Sequence, residues 1–139
     1  MSFLLDTNIL SELRKRDRCH PGVSRWYGGL AEKDIFLSVL TVGEIRRGIE
    51  SVRRRDPQAG RSLDDWLGLL ASAHADRILP VSAEIAEEWG RLNVPDPLPV
   101  VDGLLAATAR VHSLTLVTRN VADVSRTGAS LLNPFEGEG

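Results

Sequence analysis

The sequence predicts an α/β fold in which a mainly parallel central sheet is covered by helices, giving three layers. Two observations carry that prediction. Short apolar runs that read as buried strands (residues 2–5, Ile35–Ser38, Ile78–Val81 and Leu114–Val117) alternate with longer segments of helical periodicity. Such alternation is what parallel strands joined by crossover helices produce. Four carboxylates, Asp6, Glu44, Asp102 and Asp123, sit at the joints between these elements, and in an open α/β sheet ligands bind outside the carboxyl ends of the strands.

Taken in order, residues 2–5 form the first strand, and Asp6, Thr7 and Asn8 supply capping groups for a helix carrying Ile9, Leu10 and Leu13. The polar stretch Arg14–Arg18 and the breakers Pro21 and Gly22 precede a helix around Trp26, which leads to the strand Ile35–Ser38. From about Thr41 to Arg53 the apolar positions Val42, Ile45, Ile49 and Val52 recur at helical spacing and mark a core face. Glu44 lies off that stripe, on the side of Thr41 and Gly48. A mid-helix glycine costs about 1 kcal/mol relative to alanine, so Gly48 is read as permitting a close approach.

The stretch RRRDPQAGR reads as a polar connector to a helix through Trp66, Leu67, Leu69 and Leu70. After Ile78–Val81, Ser82 caps a helix whose buried face is Ile85, Ala86, Trp89 and Leu92, and the proline-rich VPDPLPV ends it. Asp102 opens an alanine-rich helix able to pack closely on the sheet, and Leu114–Val117 is the last clear strand. These elements make a single domain over 1–135, with a loose tail over 136–139.

Composition sets bounds. A chain of 139 residues, 42% hydrophobic and 26% charged, can bury one core. A formal net charge of −2 excludes a broadly basic polyanion binder, so any nucleic-acid contact must be local. The single Cys19 and the widely spaced His20, His74 and His112 argue against structural zinc. The apolar start is cut off by Asp6, and no apolar run approaches the roughly 20 residues of a membrane span, so a cytoplasmic protein without membrane contact is expected.

Singly, each acid has a plain structural role. Asp6 reads first as an N-cap, Glu44 as a solvated partner of Arg47, Asp102 as a charge at the positive end of its helix, and Asp123 and Asn120 as turn residues. Together they imply more. Carboxylates crowded into one cleft either raise a pKa or recruit a divalent ion, and oxygen-only ligands favour Mg²⁺ or Mn²⁺, so the chain reads as a metal-dependent nuclease. Trp26, Trp66 and Trp89 each fall on a helical apolar stripe and are assigned to packing. His74 and His112 are assigned to core or helix surface, and Arg53–Arg55 to a solvated face or a partner contact.

Four motifs in sequence, DTNIL from Asp6, T-x-x-E-I-x-x-G over Thr41, Glu44, Ile45 and Gly48, DGLLAATA from Asp102, and LVTRN followed by Asp123, give the chain a resemblance to PIN-domain ribonucleases of the VapC toxin type. The resemblance spans nearly the whole length and places Asp6, Glu44 and Asp102 among the family's core acids. Many members carry aspartate where this chain has Asn120 and a further acid where it has Asp123. Asp123 is accordingly given the fourth metal-site role, and Asn120 a supporting one beside Thr7, Asn8 and Thr118.

What the resemblance implies is hydrolysis of an RNA phosphodiester by in-line attack of a water activated by one or two Mg²⁺ or Mn²⁺ ions, leaving a 5′-phosphate and a 3′-hydroxyl. Because an acidic site repels RNA, basic residues at its rim should hold the backbone, and Arg46, Arg47, Arg119 and the Arg14–Arg16 run are the candidates. The resemblance also implies a homodimer and a small VapB-type antitoxin. Two rival readings are a metal-dependent phosphatase and a catalytically decayed PIN-like binding module acting as co-repressor with its partner. Phosphoaspartate enzymes need a second acid two residues after the nucleophile, where this chain has Asn8. Intact Asp6, Glu44 and Asp102 weigh against decay.

Overall fold

Five parallel strands form the core of the computed structural model, which describes residues 1–136; the rest of the expected 136–139 tail lies outside the described residues. They are β1 (Phe3–Leu5), β2 (Ile35–Ser38), β3 (Ile78–Leu79), β4 (Thr115–Val117) and β5 (Ser130–Leu132), in the spatial order β3-β2-β1-β4-β5. The chain starts at the centre, runs outward through β2 and β3, then returns to the other side of β1 to lay down β4 and β5. That reversal puts a topological switch point between β1 and β4. The expected fold class holds, with one strand more than the sequence revealed. Ser130–Leu132 is only three residues long and no better than half-buried, so it carries little strand signal until Leu116 and Val117 pair with Leu131 and Leu132.

Alternation along the strands divides the interior into two cores. Phe3, Leu5, Ile35, Leu37 and Val117 face one side, where they meet Ile9 and Leu10 of α1 (Thr7–Leu13), Val23 of α2 (Pro21–Gly28), Ile45 and Ile49 of α3 (Val39–Arg55), and Leu67 of α4 (Pro57–Ala73). Leu4 and Leu116 face the other side. There Leu105, Ala106 and Ala109 of α6 (Val100–His112) cover them, with Val124 of α7 (Val121–Val124), while α5 (Ala83–Leu92) packs against α6. Each fully buried leucine or isoleucine contributes about 1.5–3 kcal/mol, so the two cores fix the register of every strand end described below.

The helical stripe of α3 is as expected: Ile45 and Ile49 are buried, Val42 and Val52 half-buried. The polar connector is not. Helix continues through Arg53–Arg55 and resumes at Pro57, leaving only Asp56 between α3 and α4. Proline cannot continue a helix but is well suited to begin one, and the Asp56 side chain accepts from the Ala59 N–H at 3.1 Å, so one residue ends α3 and caps α4. Arg53 and Arg46 of α3 both reach Asp64 of α4, at 2.9 and 2.8 Å.

Gly48 also departs from expectation. A Cβ there would meet nothing within 4 Å, whereas one at Gly60 would come 2.8 Å from the Arg53 Cβ, so Gly60 is the point of close helix approach. Trp26 packs edge-on against Phe3 with ring centroids 5.4 Å apart, and Trp66 lies against the same core. Trp89 abuts Gly103, where a Cβ would sit 3.2 Å from its Cδ1. Ala86 is exposed rather than buried, His112 is exposed, and His74 is a core residue whose Nδ1 lies 3.0 Å from the Leu70 carbonyl oxygen. Among the described residues no helix is long and apolar enough to cross a membrane.

Candidate active site

Strands β1 and β4 end together, because Leu5 and Val117 are register partners. The next residues, Asp6 and Thr118, therefore emerge side by side at the carboxyl edge of the sheet, on the switch point. The Asp6 N–H donates to the Val117 carbonyl at 2.9 Å, and the Thr118 hydroxyl donates to Asp6 Oδ2 at 2.7 Å. Asp6 Oδ1 accepts from the Thr7 N–H at 2.7 Å, as an N-cap should, while Asn8 Nδ2 approaches Oδ2 at 3.4 Å. The helix cap and the position on the switch-point edge thus fall on one carboxylate. Burial pushes the Asp6 carboxyl above the usual aspartate range despite these hydrogen bonds, and the charge of Glu44 adds to the rise.

Glu44 comes from the second turn of α3, on the Phe3 and Leu5 side of the sheet. Its Oε1 accepts from the Thr7 hydroxyl at 2.6 Å, and among the described residues it makes no ion pair with Arg47. Asp102 comes from the opposite face. Helix α6 must run back from the carboxyl edge to enter β4, which leaves its first turn, and Asp102 with it, at the same edge as Asp6. Asp102 is half-buried, and its pKa is raised first by burial, then by the charges of Asp6, Asp123 and Glu44; the nearby Asn120 amide acts in the opposite direction. Asp123 is exposed in the first turn of α7, with its N–H donating to the Asn120 carbonyl at 3.1 Å. The Asn120 N–H in turn donates to the Thr118 hydroxyl at 2.9 Å.

Of the four acids named from the sequence, Asp102 lies within electrostatic reach of Asp6, Glu44 and Asp123, and Asp6 within reach of Glu44. Among the described residues no three of Asp, Glu, His or Cys are drawn into a tight cage. The donor set fits Mg²⁺ or Mn²⁺ in another way. Mg²⁺ dehydrates reluctantly and is usually held by one or two carboxylates with water completing its shell, which an open edge of oxygen-only side chains permits.

The cationic rim differs in part from expectation. Arg46 is committed to Asp64 at 2.8 Å and Glu50 at 3.2 Å, so it ties α3 to α4 rather than presenting charge to a phosphate. Arg47 is exposed and makes no ion pair among the described residues. Arg119 sits between Thr118 and Asn120, its N–H donating to Asn8 Oδ1 at 3.3 Å and its guanidinium carbon 4.2 Å above the centroid of the Phe135 ring. Phe135 was invisible from the sequence, because its neighbour lies in a different loop and no local pattern links them.

Residues 3–128 match the PIN domain family. The chain belongs to that family. Among the relatives of this PIN domain is the toxin FitB of Neisseria gonorrhoeae, 30% identical over 140 residues that span 95% of this chain and 97% of FitB. The VapC ribonuclease Y4jK of Sinorhizobium fredii is 28% identical over 96% of this chain and 97% of its own length. In three dimensions this PIN domain matches the crystal structure of FitAcB from Neisseria gonorrhoeae with a TM-score of 0.89 at 29% identity, covering 97% of this chain and 99% of that one. The VapBC2 structure from Rickettsia felis, solved with a promoter DNA fragment, matches with a TM-score of 0.68 at 21% identity over 96% of this chain and 98% of that one, a likeness of fold alone.

Proposed function

We propose that this PIN domain, folded as one unit over residues 1–135, is a Mg²⁺- or Mn²⁺-dependent endoribonuclease acting as the toxin of a toxin–antitoxin pair in the cytoplasm. The observation that carries the proposal is that Asp102, on one face of the sheet, feels the charges of Asp6 at the switch-point edge, of Glu44 from the other face and of Asp123. Its family relatives, a VapC ribonuclease and the toxin FitB, support the same reading.

In this reading Asp6, Asp102 and Asp123 hold the cation and Glu44 completes the acidic cluster. When bound, the ion would lower the pKa of a water and neutralise charge growing on the phosphate. The protein supplies order. Thr118, Thr7 and Asn8 fix both oxygens of Asp6, and Thr7 fixes Glu44, so these two acids need little rearrangement when an ion binds. Arg119 and Arg47 hold the RNA backbone. The phosphatase reading lacks its second acid, since Asn8 spends its amide on Asp6 and Arg119. Decay is disfavoured by how closely Asp6 and Glu44 are held.

For the antitoxin we favour the α1, α3 and α4 side. A cavity of about 270 Å³ there is walled by Thr7, Arg14, Glu44, Gly48, Leu63 and Trp66, and a second of about 600 Å³ shares Arg14, Leu63 and Trp66. The missing side chain at Gly48 helps keep this groove open, and a partner seated in it would reach Glu44. Self-association into a homodimer belongs to the same reading. The purified protein is expected to cleave single-stranded or loop RNA with Mg²⁺ or Mn²⁺ and to stop on chelation; full activity after exhaustive chelation would overturn the metal-dependent reading.

A further inference from the structure

The chain beyond β5 returns to the rim of the site. Pro134 is buried, and its carbonyl oxygen lies 2.4 Å from where a Cβ on Gly22 would be, so only glycine lets this segment cross the first turn of α2. Asn133 Oδ1 accepts the Phe135 N–H at 3.0 Å. The Phe135 ring lies 5.1 Å from the His20 ring, centroid to centroid, and His20 is fixed at both ends. Its Nδ1 accepts from the Gly22 N–H at 3.0 Å, and its own N–H donates to Glu12 Oε2 at 2.7 Å. The ring is therefore braced by α1 and α2, and the Arg119 guanidinium rests on it at 4.2 Å.

We propose that Phe135 is a positioning residue for RNA binding, holding the Arg119 guanidinium over the carboxyl edge of the sheet so that it can take a backbone phosphate. A guanidinium stacked on an aromatic face keeps its N–H donors in the plane of its own edge, where they can grip two phosphate oxygens. Because the backbone of Arg119 is already tied to Asn8 and its head to Phe135, less conformational freedom is lost when a phosphate is bound. The C-terminal segment Asn133–Phe135 thereby becomes part of the site. The inference rests on the ribonuclease reading for its substrate class.

The test is binding of a labelled single-stranded oligoribonucleotide by fluorescence anisotropy over a range of salt, with steady-state cleavage measured alongside. Phe135→Leu should weaken binding roughly two- to fivefold and raise KM to match, with kcat unchanged, while Phe135→Tyr restores both. Arg119→Ala should lower the salt slope by about 0.7 and cost less in the Phe135→Leu background than in the parent. Parent-like binding by Phe135→Leu, or full additivity of the two changes, overturns the proposal. If Phe135→Leu lowers Tm sharply, Phe135→Met carries the same test with the same criteria. A parent that shows this binding pattern yet cleaves nothing sinks the nuclease reading and supports the role of Phe135; a parent that binds no RNA overturns both.

Discussion

Asp102 shows how one side chain links burial, charge and pH. Its folded pKa is raised, so between the ordinary aspartate value and the folded one the native state binds more protons than the unfolded chain, and stability falls as pH rises through that window. Asp6 contributes with the same sign. Asp102→Asn should therefore raise Tm at neutral pH in the absence of metal, with a gain over the parent that shrinks as pH falls below the ordinary aspartate value; a variant whose Tm tracks the parent's at every pH would contradict this. The fourth position is decided by charge. A carboxylate offers a hard cation a full charge and an amide only a dipole, so Asp123→Asn should weaken metal affinity and slow cleavage about tenfold or more, about 1.4 kcal/mol in the barrier, and Asn120→Ala should do less. A metal titration of both variants checks it, and the reverse order would transfer the role to Asn120. Asp6, Glu44 and Asp102 could be named from sequence because they stand in short local motifs. The pairing of Arg46 with Asp64 could not, since α3 and α4 had first to be seen lying together.

At the scale of elements, the two glycines make opposite demands on α3 and α4. Gly48 has open space where a Cβ would go, so Gly48→Ala should raise stability by about 0.5–1 kcal/mol through helix propensity. A Cβ on Gly60 would lie 3.0 Å from the Arg53 Cα and 2.8 Å from its Cβ, so Gly60→Ala must push α3 from α4 and should cost about 1–3 kcal/mol. Urea unfolding of both variants tests the pair, and equal effects would mean that the helix spacing described here is wrong. The apolar period of α3 was legible because it is a property of one segment. The single-residue joint at Asp56 was not, because a run of arginines followed by Asp-Pro is as good a connector as it is a helix end meeting a helix start. Strand β5 was hidden for a related reason: a three-residue strand derives its stability from pairing with β4, not from its own pattern.

For the whole molecule, the order β3-β2-β1-β4-β5 does the assembling. It brings residues from positions 6 to 123 to one edge, two of them from helices on opposite faces. Parallel α/β alternation was evident in the sequence, and from it the carboxyl edge as the place to look. Which acids to look for there followed from the family motifs rather than from periodicity, and the groove beside Glu44 required the packed helices. In the proposed function these acids form a metal-dependent nuclease centre. Its most direct test is cleavage of single-stranded RNA in Mg²⁺ by the parent, Asp6→Asn and Asp102→Asn, with circular dichroism confirming that each is folded. The parent should cleave and neither folded variant should; parent-like cleavage by both would show that the reaction centre lies elsewhere.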